Sequence, residues 1–240
     1  MQARLSDSWW FARVVAHPAP ADLVLQLRVT IALYFLMVCI PSLTDLILNE
    51  GSYNVLYGSY VVPSICTSAG FLLLIWFLVR AADGAWRLFW NSRFLPNVIC
   101  MILAPAVLWL SQWAIGLAMT ALIKSSPGLE PYRWVDPSVH PKDFPANLML
   151  PMVFFTIVSQ ATVTQAFVMT RIRQCGGGLF QAVLWSALLY SASNFGWGID
   201  AFVSALISGV LFAVIFARWG GLVGLILGRM AWEASNYIKL

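Results

Sequence analysis

Seven stretches of this chain run for about the length of a bilayer crossing with almost no charge inside them, and this pattern limits the fold more than any other feature. A hydrocarbon core about 30 Å thick needs about 20 mostly apolar residues at about 1.5 Å rise each. Cut to that ruler, the segments fall at 29–48, 60–79, 97–123, 146–170, 179–194, 201–217 and 220–236. The fifth and sixth are short and the seventh carries charge, so the last three read as tilted or buried helices shielded by the first four. The expected fold is all-α: a polytopic transmembrane helical bundle of about seven spans.

Composition enters as a check. Hydrophobic residues make up 60% and charged residues 10%, whereas soluble globular domains carry about 45–50% and about 25%. Such a chain cannot hide its apolar surface in a core of its own and is solvated by lipid. A water-soluble domain, a disordered chain, a collagen-like chain and a nucleic-acid-binding protein are excluded together. The net charge of +4 reports orientation, because cytoplasmic loops carry an excess of Lys and Arg. Arg4, Arg13 and Arg28 precede the first segment, Arg80, Arg87 and Arg93 follow the second, Arg171 and Arg173 follow the fourth, and Arg218 follows the sixth. The connections after the first and fifth carry none, and the loop after the third mixes Lys124, Arg133 and Lys142 with acids. The N-terminus is expected in the cytoplasm, with a multi-pass location in the bacterial inner (plasma) membrane. Asp7, Trp9, Trp10 and the proline-rich stretch at 17–20 interrupt any cleavable-signal pattern, so the N-terminus is expected to be retained.

Three regions follow: a cytoplasmic interfacial amphipathic segment at 1–27, a three-span region at 28–145 ending in a proline-rich external loop at 124–145, and a four-helix region at 146–240. Residues Leu5, Trp9, Trp10, Phe11, Val14 and Val15 with Arg4 and Arg13 suit a helix lying in the headgroup layer. Trp86 and Trp90 repeat that chemistry on the same side. Prolines at 127, 131, 137, 141 and 145 prevent regular structure in the external loop, which bears Tyr132 and Trp134. Trp9, Trp10, Trp86, Trp90, Tyr132 and Trp134 are the candidate interface residues, read otherwise as membrane belts and anchors.

The inventory of chemistry at membrane depth is short. An ionisable group there is expensive and is a functional candidate by default. Asp45 lies near the outer end of the first segment, and Arg229 and Glu233 stand four apart in the seventh, where they can neutralise each other on one helix face. The two histidines, His17 and His140, fall outside the segments, and the four cysteines are scattered without a CxxC pair. No metal site and no disulfide framework is expected. The run Gly176-Gly177-Gly178 reads as a flexible cytoplasmic turn and leaves open a phosphate or headgroup nest with Arg171 and Arg173. Uncharged polar residues crowd the fourth segment (Ser159, Gln160, Thr162, Thr164, Gln165) and the fifth (Ser186, Ser191, Ser193, Asn194). Such side chains face a bundle interior and bond across helices. Gly209, Gly220, Gly224 and Gly228 are helix-packing positions where backbones can approach closely.

The order of these features resembles the CAAX protease and bacteriocin-processing family (CPBP, or Abi). Its members carry Glu-Glu-x-x-x-Arg on one helix, Phe-x-x-x-His on the next and a final His-x-x-x-Asn or Asp after a glycine-bearing hairpin. Here Thr164 and Gln165 stand for the two glutamates and Met169 for the arginine. Tyr190 and Asn194 stand for the phenylalanine and histidine, and Arg229 and Glu233 for the final pair. The resemblance covers roughly residues 156–236 and implies the family's helical fold. It also implies that its water-activating glutamate and charge-stabilising histidines are gone, because amides and hydroxyls do not accept protons near neutral pH.

The expected function is therefore a non-catalytic integral membrane protein with a degenerate CPBP-like fold, serving as an accessory, assembly or scaffold subunit of a larger membrane protein complex. One alternative is an intramembrane CAAX-type endopeptidase with an altered site using Glu233. Another is a small transporter or lipid-binding membrane protein. No cofactor is expected, and the apolar exterior would tolerate a bound lipid or pigment without any sequence signature for one. The expected partners are the lipid bilayer and protein subunits of a complex, with no nucleic acid.

Overall fold

A computed structural model describes Trp10 and residues 21–41, 57–82, 93–125, 146–195 and 199–238. Trp9, Trp86, Trp90, Tyr132, Trp134, Asp45, both histidines and the proline-rich loop beyond Ser125 lie outside the described residues.

Seven helical rods make up the described chain, and no strand occurs among the described residues. The first, α1, runs over Ala21–Tyr34 and continues as a π-helical segment at Phe35–Cys39. It begins eight residues before the expected 29–48 because Asp22 sits in its first turn, where a carboxylate complements the helix dipole. Arg28 is thus inside the helix and not a flank. The others are α2 (Tyr57–Ala82), α3 (Phe94–Ser125), α5 (Leu179–Ala192), α6 (Ile199–Trp219) and α7 (Leu222–Ile238). Between α3 and α5, α4 is one rod in three registers: Ala146–Gln160, a π-helical segment at Ala161–Val168, and Met169–Gln174.

Five of these rods, not seven, contain a window long and apolar enough to cross a bilayer: Asp22–Cys39, Pro63–Arg80, Phe94–Ala121, Leu150–Gln174 and Ala201–Trp219. Helix α5 is shorter, and α7, 17 residues long, carries Arg229, Glu233 and two glycine-backed contacts. Burial separates the spans further. In the Leu150–Gln174 window 72% of residues are buried, against 17% in Asp22–Cys39, which makes α4 the central post of an integral membrane bundle. Leu73, Phe77, Ile102, Trp113 and Leu117 on α2 and α3 point outward and form its lipid-facing belt.

Glycine fixes how the posts stand together. Helix α7 runs along α3, and α6 along α5 and α3. A Cβ on Gly224 would lie 2.6 Å from the Asn97 carbonyl carbon, and one on Gly228 would lie 2.9 Å from the Ala104 Cβ. On the other face, a Cβ on Gly209 would meet the Tyr190 ring at 2.9 Å. Three of the expected packing glycines are therefore contacts, but the partner of Gly224 and Gly228 is α3 and not the neighbouring α6. Gly220 has a different task. At φ +69° it ends α6, its N–H donating to the Phe216 carbonyl at 2.6 Å, and its bare Cα is covered by the Trp10 ring. Gly176, at φ +81°, likewise ends α4, with Gly177 N–H donating to Ile172 O at 2.8 Å and Gly176 N–H to Arg173 O at 3.0 Å. The three glycines thus form a defined helix terminus.

Candidate functional site

The π-helical segment of α4 is buried at every position from Ala161 to Val168. In an α-register the Gln160 carbonyl would accept from the Thr164 N–H, but π-bonding passes that ladder on to i+5. The Thr164 hydroxyl fills the gap by donating to Gln160 O at 2.7 Å. Register changes of this kind occur often at functional sites, and here the change begins at Gln160, which forms the wall of a polar cluster.

That cluster joins five helices. Arg229 of α7, 5% exposed, donates from Nη2 to Gln160 Oε1 at 2.8 Å. Gln160 Nε2 donates in turn to Ser193 Oγ at 3.0 Å, and Ser193 Oγ donates to Tyr190 O at 2.8 Å. Asn194 Nδ2 closes the end of α5 on the same carbonyl at 2.7 Å. The guanidinium lies 4.8 Å from the Tyr190 ring centre and 5.6 Å from that of Phe212, a cation–π arrangement that offsets part of its desolvation. Tyr34 of α1 reaches the same place, its hydroxyl beside Ser193 and within electrostatic range of Arg229 and Tyr190.

Of the expected site residues, Asn194 and Arg229 are brought together, while Thr164 braces the backbone of the cluster. Gln165 and Met169 are fully buried along α4. Glu233 is half-buried within electrostatic reach of Arg229, but the hydrogen bond of the guanidinium goes to Gln160. Spacing of four on one helix therefore left the partner unspecified. Gln160 does what was expected of the interior polar residues, bonding across helices, though its partners were not specified. One participant went unsuspected: Tyr34 gave no signal beyond the i, i+4 pair Thr30 and Tyr34, two polar residues inside an apolar span.

A second polar knot sits at the other end of α4. Arg171, read from sequence as a loop residue able to join a headgroup nest, is inside the helix and has no exposed surface. Its guanidinium donates to Gln174 Oε1 at 2.6 Å and to Gln26 Oε1 at 3.2 Å, and it lies 5.1 Å from the Phe167 ring centre. It ties α1 to α4 and is a structural pin. Just past that end, burial raises the Cys175 thiol above its ordinary range, opposed by the nearby Arg171 charge.

The main cluster is rich in donors and poor in bases. Amide, hydroxyl, phenol and guanidinium groups bind and orient, but none removes a proton from water near neutral pH. No group of three or more His, Cys, Asp or Glu residues gathers among the described residues.

Residues 142–235 match the family model described as type II CAAX prenyl endopeptidase Rce1-like. The matched segment carries Gln160, Tyr190, Ser193, Asn194 and Arg229, so the cluster lies within it. Tyr34 is contributed from outside. No curated protein and no solved structure matches the chain. The expected resemblance in the C-terminal part thus has its counterpart in a family-level match, and the residues at its motif positions remain Thr164, Gln165, Met169, Asn194, Arg229 and Glu233.

Proposed function

We propose that the chain is a non-catalytic membrane protein built on the endopeptidase-like helical fold, acting as an accessory, assembly or scaffold subunit of a larger protein complex in the bacterial inner (plasma) membrane. The observation that carries the reading is the hydrogen-bonded series Arg229–Gln160–Ser193. It fills the polar centre of the family-matched segment with groups that bind and do not exchange protons. Charge-assisted bonds of this kind hold geometry, and the work left to such a centre is recognition. The exposed tryptophans Trp76, Trp109 and Trp185 offer contact area to neighbouring subunits. The test is purification in mild detergent with identification of co-eluting chains. A stoichiometric membrane partner is expected, and consistent isolation as a lone monomer would count against the subunit role.

Glu233 supports one competing reading, an endopeptidase with a displaced carboxylate acting on a prenylated peptide. That reading predicts turnover in the wild type and its loss in Glu233→Gln.

A further inference from the structure

The polar cluster holds more donors than acceptors. A guanidinium offers five N–H groups, and Arg229 Nη1 is buried with no partner, as is Gln165 Nε2, five residues on from Gln160 in α4, while the Tyr34 hydroxyl lies beside Ser193. All three residues are at least nine-tenths buried. The positive charge is shared with a neutral amide and two ring faces, while Glu233 acts only through space. A buried cation in this state carries a large desolvation penalty unless a counter-charge completes it.

We infer that Arg229, with the Tyr34 hydroxyl and the Gln165 amide, binds the oxyanion headgroup, carboxylate or phosphate, of an amphiphile that enters from the lipid phase. An oxyanion supplies the acceptors that the cluster lacks, and Arg engages one with paired donors. The amphiphilic character follows from the setting: the cluster is enclosed in a bundle whose outer faces on α2 and α3 are lipid-facing, so a headgroup that reaches Arg229 comes from hydrocarbon. The inference deepens the reading of this centre as a recognition site and rests on it.

The experiment follows the melting temperature of the purified full-length protein in a neutral detergent by tryptophan fluorescence, titrating oleate, oleyl phosphate or oleyl alcohol. Binding to the folded state raises the melting temperature in a saturable way. A rise with either anion but not with the alcohol is expected, and oleate alone or oleyl phosphate alone would assign the carboxylate or the phosphate as the source. Arg229→Gln should weaken the affinity by at least about tenfold, the usual scale for a bond to a charged group. Tyr34→Phe, which removes the hydroxyl beside Ser193 and keeps the ring, should weaken it several-fold. No rise with either anion, an equal rise with the alcohol, or affinities unchanged in both variants would overturn the inference. Peptide cleavage would sink the non-catalytic reading without altering these titrations, and a failed titration would leave the subunit role standing.

Discussion

Replacing Gly224 by alanine adds one methyl group at the tightest point between α7 and α3. That methyl would lie 2.6 Å from the Asn97 carbonyl carbon and 2.8 Å from its Cα, where ordinary contact begins at 3.4 Å. The Asn97 carbonyl oxygen is nearer still, so the two backbones must part by more than about 0.8 Å, since the obstacle is main chain and cannot rotate away. Parting them also stretches the 3.0 Å bond in which Gly224 N–H donates to Asn97 Oδ1. Overpacking of this kind costs about 1–3 kcal/mol and the lost hydrogen bond about 1 kcal/mol. The higher helix propensity of alanine returns about 1 kcal/mol, leaving a net loss of about 1–3 kcal/mol. Gly116→Ala is the internal control, because a Cβ there meets nothing within 4 Å, so only the propensity gain remains. The assay is reversible unfolding in mixed micelles, followed by tryptophan fluorescence for both variants side by side. If Gly224→Ala is as stable as Gly116→Ala, α7 does not pack on α3 in the way described.

Three further outcomes are expected. Gln160→Leu should destabilise the bundle by about 2 kcal/mol by stranding Arg229, and the double variant with Arg229→Met should lose at least about 1 kcal/mol less than the sum of the singles. Additive losses in an unfolding cycle would mean that the two side chains do not act as a pair. A membrane-impermeant maleimide should reach Cys175 from the cytoplasmic side only, and labelling from the opposite side would invert the topology. Because burial raises that thiol, its labelling rate at neutral pH should fall below that of an unperturbed cysteine and should still be climbing with pH where the unperturbed thiol levels off. A rate that levels off earlier than the reference would contradict the burial of the turn.

The helices were legible because lipid imposes a length: α3, α4 and α6 lie where apolar runs of bilayer thickness predict them. The centrality of α4 was legible for the opposite reason. In a bundle solvated by hydrocarbon, polarity marks the inside, and Ser159, Gln160, Thr162, Thr164 and Gln165 together point inward. What the residues did not disclose were partners. Gly224 and Gly228 announce a close approach, but small side chains say nothing about which helix approaches, and the match came from Asn97 and Ala104, more than 100 positions away in the chain. Arg229 and Glu233 share a face, yet a guanidinium prefers an acceptor presented at hydrogen-bond distance, and the π-register of α4 delivers Gln160 to it. Tyr34 joins the cluster through the packing of α1, a contact with no local signature.

The most direct test of the account is to incubate the purified protein, in bilayer nanodiscs, with a prenylated peptide ending in a CAAX sequence and to follow release of the tripeptide by mass spectrometry. The predicted result is an intact peptide, with wild type and Glu233→Gln indistinguishable. Steady turnover by the wild type that disappears in Glu233→Gln would show that the centre around Arg229 moves protons after all.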